Sequence, residues 1–286
     1  MERFYPSAPG GGWMVMDDLD LRGSLGGVIA LSGGYARNPL RLAGPDAARR
    51  VDVISDQAFA DVGVAMTYSR FRLYLNLASP LAVRGKSGTI GEAHLTAPSV
   101  SLGENPDTFS DVRLGFDARL LGDTRGPLRL GVGAQLIVPS AEREDYLTDG
   151  TWRAMGRVLF AGNLGLWTYA GQMGLHLRKL DDTSVPESPQ GHELLFGIAA
   201  GPRFPSGPGE RTVVVIGPEL FGQTAARSMF GTSTTGAEAL LTGRVEHTAD
   251  DRSQVRFKLG TGGGLHPHFG APVWRAVVAI EVSHCP

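Results

Sequence analysis

The sequence contains a single cysteine, Cys285, among 286 residues, so no disulfide links parts of the chain and no thiolate metal site forms. No stretch approaches the roughly 18 apolar residues of a membrane-spanning helix. The chain also has no large excess of either charge, since it contains 27 Lys and Arg and 29 Asp and Glu. This balance excludes the basic surface of nucleic-acid-binding proteins, and we expect no nucleic-acid partner. The N-terminal residues MERFYPSAPGGGW lack the apolar core of a signal peptide.

Glycine is abundant, and apolar residues alternate with polar ones. The 40 glycines exceed the usual share of about 7%. They interrupt alternating runs, which suits a curved sheet, and no segment has the periodicity of a helix. In the stretch Ser110–Gly122 the apolar face contains Val112, Leu114, Phe116, Ala118 and Leu120, whereas the other face contains Asp111, Arg113, Asp117 and Arg119. About twelve such runs follow one another, the first beginning near Leu19.

The connections between these runs alternate between long and short. Asn38–Ile54, Ala82–Phe109, Ser140–Gly150 and Leu180–His192 are long, whereas Ser69, Asp123–Pro127 and Asn163–Gly165 are short. Outer-membrane barrels have short periplasmic turns and longer extracellular loops. We therefore predict an all-β fold: one transmembrane antiparallel up-and-down β-barrel of about 12 strands over residues 1–286, with residues 1–18 as an N-terminal periplasmic segment.

The apolar faces are predicted to point outward into outer-membrane lipid. A barrel of about twelve strands with these faces inward would enclose a core too wide to pack closely. Aromatic residues near the ends of the runs match the interfacial girdles of membrane barrels. The predicted interfacial aromatics are Tyr35, Tyr68, Trp152, Trp167, Tyr169 and Trp274. A soluble ligand-binding barrel with inward apolar faces is the alternative.

Several segments resemble a known family. These are Ser55–Gly63, Phe116–Asp123, Glu193–Gly201, Val214–Gly222, Thr234–Gly243 and Leu265–Val282. They are similar to the N-terminal barrel of OmpA-family outer-membrane proteins of myxobacteria and related deltaproteobacteria. The resemblance implies a Gram-negative outer-membrane location. It also implies a C-terminal peptidoglycan-binding domain that this chain lacks, so we expect the barrel to be part of a longer protein.

The polar faces contain many charged residues, which we expect to line the lumen. The predicted lumen residues are Arg22, Asp61, Arg72, Arg113, Asp117, Arg119, Arg129, Arg153, Arg157, Arg178, Glu219, Arg244, Arg256 and Arg275. Salt-bridge ladders that fill the interior predict a structural barrel of the OmpA type. A water-filled, porin-like passage is the alternative, and its arginines favour small anionic solutes.

Other candidate sites are weak, and we expect no catalytic, cofactor-binding or metal-binding residues. His266 and His268 lack a nearby carboxylate or third ligand. An outer-membrane phospholipase needs a partnered serine and histidine, but no serine here has a recognisable nucleophile context, and His247 lacks an evident partner. The glycine-rich stretch Thr261–Gly264 lacks the lysine and the helix of a phosphate-binding loop.

Overall fold

The computed structural model describes residues 4–21, 23–43, 50–90, 93–101, 110–140, 146–179, 191–207, 209, 211–249, 253–266 and 270–284. Across these residues the chain forms β-strands, and none of its segments is a helix that is long and apolar enough to cross a membrane. The strands are β1 (Gly26–Ala43), β2 (Arg50–Tyr68), β3 (Phe71–Arg84), β4 (Gly88–Ile90), β5 (Ala93–Leu95), β6 (Ser99–Ser101), β7 (Val112–Leu121), β8 (Arg129–Val138), β9 (Arg153–Leu164), β10 (Trp167–Arg178), β11 (Glu193–Ser206), β12 (Thr212–Ala225), β13 (Thr235–Thr248), β14 (Ser253–His266) and β15 (Trp274–His284).

Twelve of these strands close into one antiparallel barrel. These twelve strands are β1–β3 and β7–β15. Each pairs with the barrel strands before and after it in the chain, so β3 pairs with β7, and the pairing of β1 with β15 closes the barrel. Closure leaves no unpaired edge, as a sheet in lipid requires. The predicted all-β, twelve-stranded, up-and-down fold is confirmed. The connection from β3 to β7 also contains the β4–β5 hairpin and the strand β6, which pairs with β3.

Short and long connections lie at opposite ends of the barrel. The end at which β2 is followed by β3, β7 by β8, β9 by β10, β11 by β12 and β13 by β14 is called the turn end, and the other the loop end. The described residues of these short connections are 69–70, 122–128, 165–166, 207, 209, 211 and 249. The first long connection is shorter than the predicted Asn38–Ile54, because β1 continues to Ala43 and β2 begins at Arg50. The pairing of β1 with β2 shifts register on both sides of the Leu40–Ile54 pair, and these two shifts obscure the alternation in the sequence.

The apolar faces point outward and the charged faces point inward. On β9, Val158 is 57% exposed, whereas its neighbours Arg157 and Leu159 are buried. Ile29, on β1, is 64% exposed on the same outer surface. An apolar outer surface of this kind needs lipid around it. The alternative of a soluble barrel with inward apolar faces is therefore wrong.

The six predicted interfacial aromatics lie near the two ends of the barrel, on its outer surface. Tyr68, Trp167 and Tyr169 lie beside turns, whereas Tyr35, Trp152 and Trp274 lie towards the loop end. The rings of Tyr35 and Trp274 are 5.1 Å apart between centroids. Two such belts mark the levels at which a barrel meets the membrane interfaces.

Arginine at the middle of the outer surface is expected to destabilise the barrel. We expect Val158→Arg to lower the free energy of unfolding by about 2–4 kcal/mol in lipid vesicles, because the charge enters the hydrocarbon. Leu164→Arg, at the turn end of the same strand, is the matched control, with an expected loss of about 0–1 kcal/mol. Urea titration followed by gel mobility without boiling measures both. Equal losses would contradict the placement of Val158 at the membrane centre.

Candidate functional site

The predicted lumen residues that the structure describes are buried on the inner face. Their side chains are between 0% and 7% exposed. This set consists of Asp61, Arg72, Arg113, Asp117, Arg119, Arg129, Arg153, Arg157, Arg178, Glu219, Arg244, Arg256 and Arg275. Arg22 lies outside the described residues. The inner face is thus densely charged, as the alternation indicated.

The lumen also contains residues 4–21, which we call the plug segment. Trp13 and Met16 are 0% exposed, so this segment lies inside the barrel rather than below it. The predicted periplasmic placement of residues 1–18 is thus wrong for residues 4–18. Barrels of about eight strands are filled by their own side chains, whereas twelve strands enclose a wider space. A separate piece of chain fills that space here.

The plug segment folds back on itself. The Ser7 amide donates to the Met14 carbonyl (2.8 Å), and the Ser7 hydroxyl donates to the Trp13 carbonyl (2.7 Å). Leu19 has a φ of 53°, and its amide donates to Asp17 Oδ1 (2.9 Å). These bonds satisfy backbone groups that no strand partner reaches, so the segment folds without joining the sheet of the wall.

Apolar contacts hold the middle of the plug segment. Phe4, Trp13, Met14, Val15 and Met16 form one buried cluster with inward residues of the wall. The wall residues are Phe59, Ala161, Ala170, Ala199, Val215, Phe221, Leu240, Val277 and Ala279. The inner face therefore carries an apolar belt among its charges, and the plug segment covers it.

Glu219, on β12, is the main acceptor for the plug backbone. Its Oε1 accepts from the Met14 amide (2.7 Å), and its Oε2 accepts from the amides of Val15 (2.9 Å) and Met16 (3.1 Å). The Thr242 hydroxyl donates to Oε1 (2.6 Å). No ion pair joins Glu219 to a cation of the described chain. Its charge is therefore stabilised largely by plug amides.

Lys258 and Arg256, on β14, hold the plug carbonyls. Lys258 Nζ donates to the carbonyls of Gly11 and Trp13, both at 3.1 Å, and Arg256 Nη1 donates to those of Gly10 (3.1 Å) and Gly11 (3.2 Å). Glu281 accepts from both cations, at 2.7 and 2.9 Å. The plug backbone is thus bound through both its donors and its acceptors.

Other predicted lumen arginines also contact the plug segment. Arg72 pairs with Asp17, Arg244 lies 3.6 Å from Asp18, and Arg119 donates to the Leu19 carbonyl (3.3 Å). Further along the segment, Arg153 donates to the Tyr5 hydroxyl (3.1 Å), Arg113 donates to the Pro6 carbonyl (3.2 Å), and the Arg275 guanidinium lies 4.4 Å from the Phe4 ring centroid. The charges predicted to line a passage therefore surround a segment of the chain.

Wall cations also have carboxylate partners on the wall itself. The pairs are Arg72–Asp117 (2.6 Å), Arg113–Asp61 (2.8 Å), Arg153–Asp111, Arg157–Asp117 (3.1 Å), Arg178–Glu193 (2.5 Å), Arg244–Glu246 (2.9 Å), Arg256–Glu281 (2.9 Å) and Arg275–Glu238 (3.0 Å). These pairs do not involve the plug segment. Each of these wall arginines would therefore keep a carboxylate partner on the wall if that segment left.

A loop narrows the loop end of the lumen. Leu147, Thr148 and Asp149 precede β9 and are at most 4% exposed. Asp149 accepts from Arg178 at 2.6 Å, so the loop is tied to the inner face of β10. The lumen is therefore filled by the plug segment and narrowed by a loop above it.

The weaker sequence candidates do not form a site among the described residues. His268 and the side chain of His266 lie outside them, and no group of three or more potential metal ligands occurs within them. His247 Nδ1 lies 3.0 Å from the Thr212 hydroxyl.

The plug segment is the feature that sequence reasoning missed. Its signal was the apolar run Trp13–Met16, which lacks strand alternation yet needs burial.

No protein-family model and no curated protein matches this chain, so the OmpA-family resemblance stays a prediction. Solved structures do resemble it. An outer membrane channel from Pseudomonas putida F1 has a TM-score of 0.55 at 13% identity, over 92% of this chain and 95% of that one. The CymD monoaromatic hydrocarbon channel (TM-score 0.45, 8% identity, 94% and 90%) and LpxR from Salmonella typhimurium (TM-score 0.42, 10% identity, 90% and 100%) are more distant. The likeness to the Pseudomonas putida channel, together with the closed twelve-stranded sheet, shows that the chain has the fold of the bacterial outer-membrane β-barrels.

Proposed function

We propose that this protein is an outer-membrane channel closed by its own N-terminal segment, with the turn end facing the periplasm. The observation that carries the proposal is that wall cations that contact the plug segment, such as Arg72, Arg244 and Arg256, also have carboxylate partners on the wall. The wall pairs its own charges, whereas the plug segment is attached through Glu219, Lys258 and a few arginines. When such a segment leaves, these arginines keep their wall partners, and Glu219, which has its acceptors filled largely by plug amides, becomes free to bind water.

A structural barrel of the OmpA type is the second candidate. The dense burial of Trp13 and Met16, both 0% exposed, favours it, because a permanent filler gains stability from complete burial. The two functions differ in whether the plug segment has a displaced state. A displaced state lets small solutes pass between paired charges, as in a porin.

Conductance in planar bilayers tests the proposal through Glu219. The intact protein is expected to be silent or nearly so. Glu219→Ala leaves the amides of Met14, Val15 and Met16 without their acceptor, at about 1–3 kcal/mol for each buried amide. We expect frequent, brief openings of this variant, because its closed state loses stability relative to the open one.

Glu238→Ala is the matched control. Glu238 is also a buried wall glutamate, and it accepts from Arg275 at 3.0 Å. Openings in the Glu219 variant alone would support the closed channel. Similar openings in both variants would mean that any buried charge defect makes the wall leak. Silence of a folded Glu219 variant would favour the structural barrel.

A further inference from the structure

A vestibule lies at the turn end, between the plug segment and the turns. Its volume is about 900 Å³. The charged residues of its lining include five arginines, which are Arg125, Arg129, Arg203, Arg211 and Arg244. Three carboxylates, those of Asp18, Asp20 and Glu246, share the same lining. The vestibule therefore has an excess of positive charge and room for a small solute.

Arg129, the first residue of β8, is the unusual member of this lining. Its side chain is 2% exposed, and its Nε has no hydrogen-bond partner within the described chain. No ion pair or hydrogen bond joins its guanidinium to another described residue. A guanidinium has five donors, and buried ones are normally paired with acceptors. Arg129 thus presents unused donors to the vestibule.

The nearby carboxylates do not accept hydrogen bonds from Arg129. Glu246 pairs with Arg244 (2.9 Å) and Arg256 (3.0 Å), while Asp18 accepts from the Asp20 amide (3.1 Å) and lies 3.6 Å from Arg244. The charge of Asp18 acts on Arg129 electrostatically, but without an ion-pair contact. An acceptor from outside the chain would complete the site.

We propose that the vestibule binds a small oxyanion, a phosphate or carboxylate group of a solute, at Arg129. Both groups present two oxygens that match the fork of a guanidinium. Arg125, Arg203 and Arg211 line the same cavity and attract the anion by their charge. Arg129 and the other three arginines belong to the wall and its turns rather than to the plug segment, so binding with the plug segment in place does not require the barrel to conduct.

Isothermal titration of the folded protein in detergent at low ionic strength tests the site. Inorganic phosphate and succinate are the two probes, and the stronger one identifies the group that the site prefers. We expect saturable binding of at least one probe with one site per chain, weakened by added salt. We expect Arg129→Gln to lower the affinity at least tenfold. Arg37→Gln, at an exposed loop-end arginine that pairs with Asp56, is expected to leave it unchanged.

Gel mobility without boiling checks that each variant is folded. Arg129 has no partner to lose, so its variant is expected to fold like the intact protein. Arg203→Gln, at the rim of the vestibule, is a second variant, with an expected loss of about threefold from a screened charge. Absence of saturable binding by the intact protein, or equal affinities of the intact and Arg129→Gln proteins, would overturn the proposal.

Discussion

Deletion of residues 4–21 is expected to turn a silent barrel into one that conducts steadily. These residues occupy the lumen of a twelve-stranded wall, which is too wide for its own side chains to fill. The inner face keeps its cross-strand ion pairs after the deletion, so it becomes a polar, hydrated surface. In planar bilayers we expect continuous current steps, in contrast to the brief openings of Glu219→Ala.

A peptide with the sequence of residues 4–21 provides the control. Added to the turn end of the deletion variant, it is expected to reduce the current, because Glu219, Lys258 and Arg256 still present its binding groups. A peptide of the same composition in scrambled order should have no effect. If the folded deletion variant is silent, the wall and the loop residues 147–149 close the lumen by themselves, and the structural barrel is the correct function.

The fold could be predicted from the sequence because alternation is a local property. Val112, Leu114 and Phe116 specify an apolar face within five residues, and the structure exposes Leu114 and Phe116 on the outside of β7. A barrel follows when every strand carries such a face and the connections alternate in length. Alternation does not say which residues meet across strands, so the pairing of Arg72 with Asp117 could not be predicted.

The plug segment could not be predicted for a related reason. Leu19 and Leu21 share the parity of Leu25 and Ile29, and this extended the first predicted run towards the N-terminus. In the structure Leu19 and Leu21 are buried inside the barrel, and β1 begins at Gly26. Apolar residues at every second position over a short stretch do not distinguish a strand from an irregular segment that contains a residue in the left-handed region, such as Leu19. The partners of this segment lie up to 251 positions away in the chain.

Replacement of Asp117 by Asn is expected to have the largest effect on stability. Asp117 is 0% exposed, and its Oδ2 accepts from Arg72 Nε (3.2 Å) and Nη2 (2.6 Å). Its Oδ1 accepts from Arg157 Nη2 at 3.1 Å. One carboxylate therefore pairs with two buried arginines, and for Arg157 it is the carboxylate partner that the structure shows. Breaking a buried pair by removing one partner costs about 3–5 kcal/mol, because a charge stays buried without its counter-ion. Urea titration in lipid vesicles measures this loss.

The double variant Asp117→Asn, Arg157→Gln separates charge imbalance from lost packing. It removes one charge of each sign, leaves Arg72 paired with Asp17, and is expected to be more stable than Asp117→Asn alone by about 1–3 kcal/mol. A loss below about 1 kcal/mol in the single variant would mean that water reaches Asp117, since hydrated ion pairs contribute little. The lumen would then be open at this level, and the plug segment would not seal it.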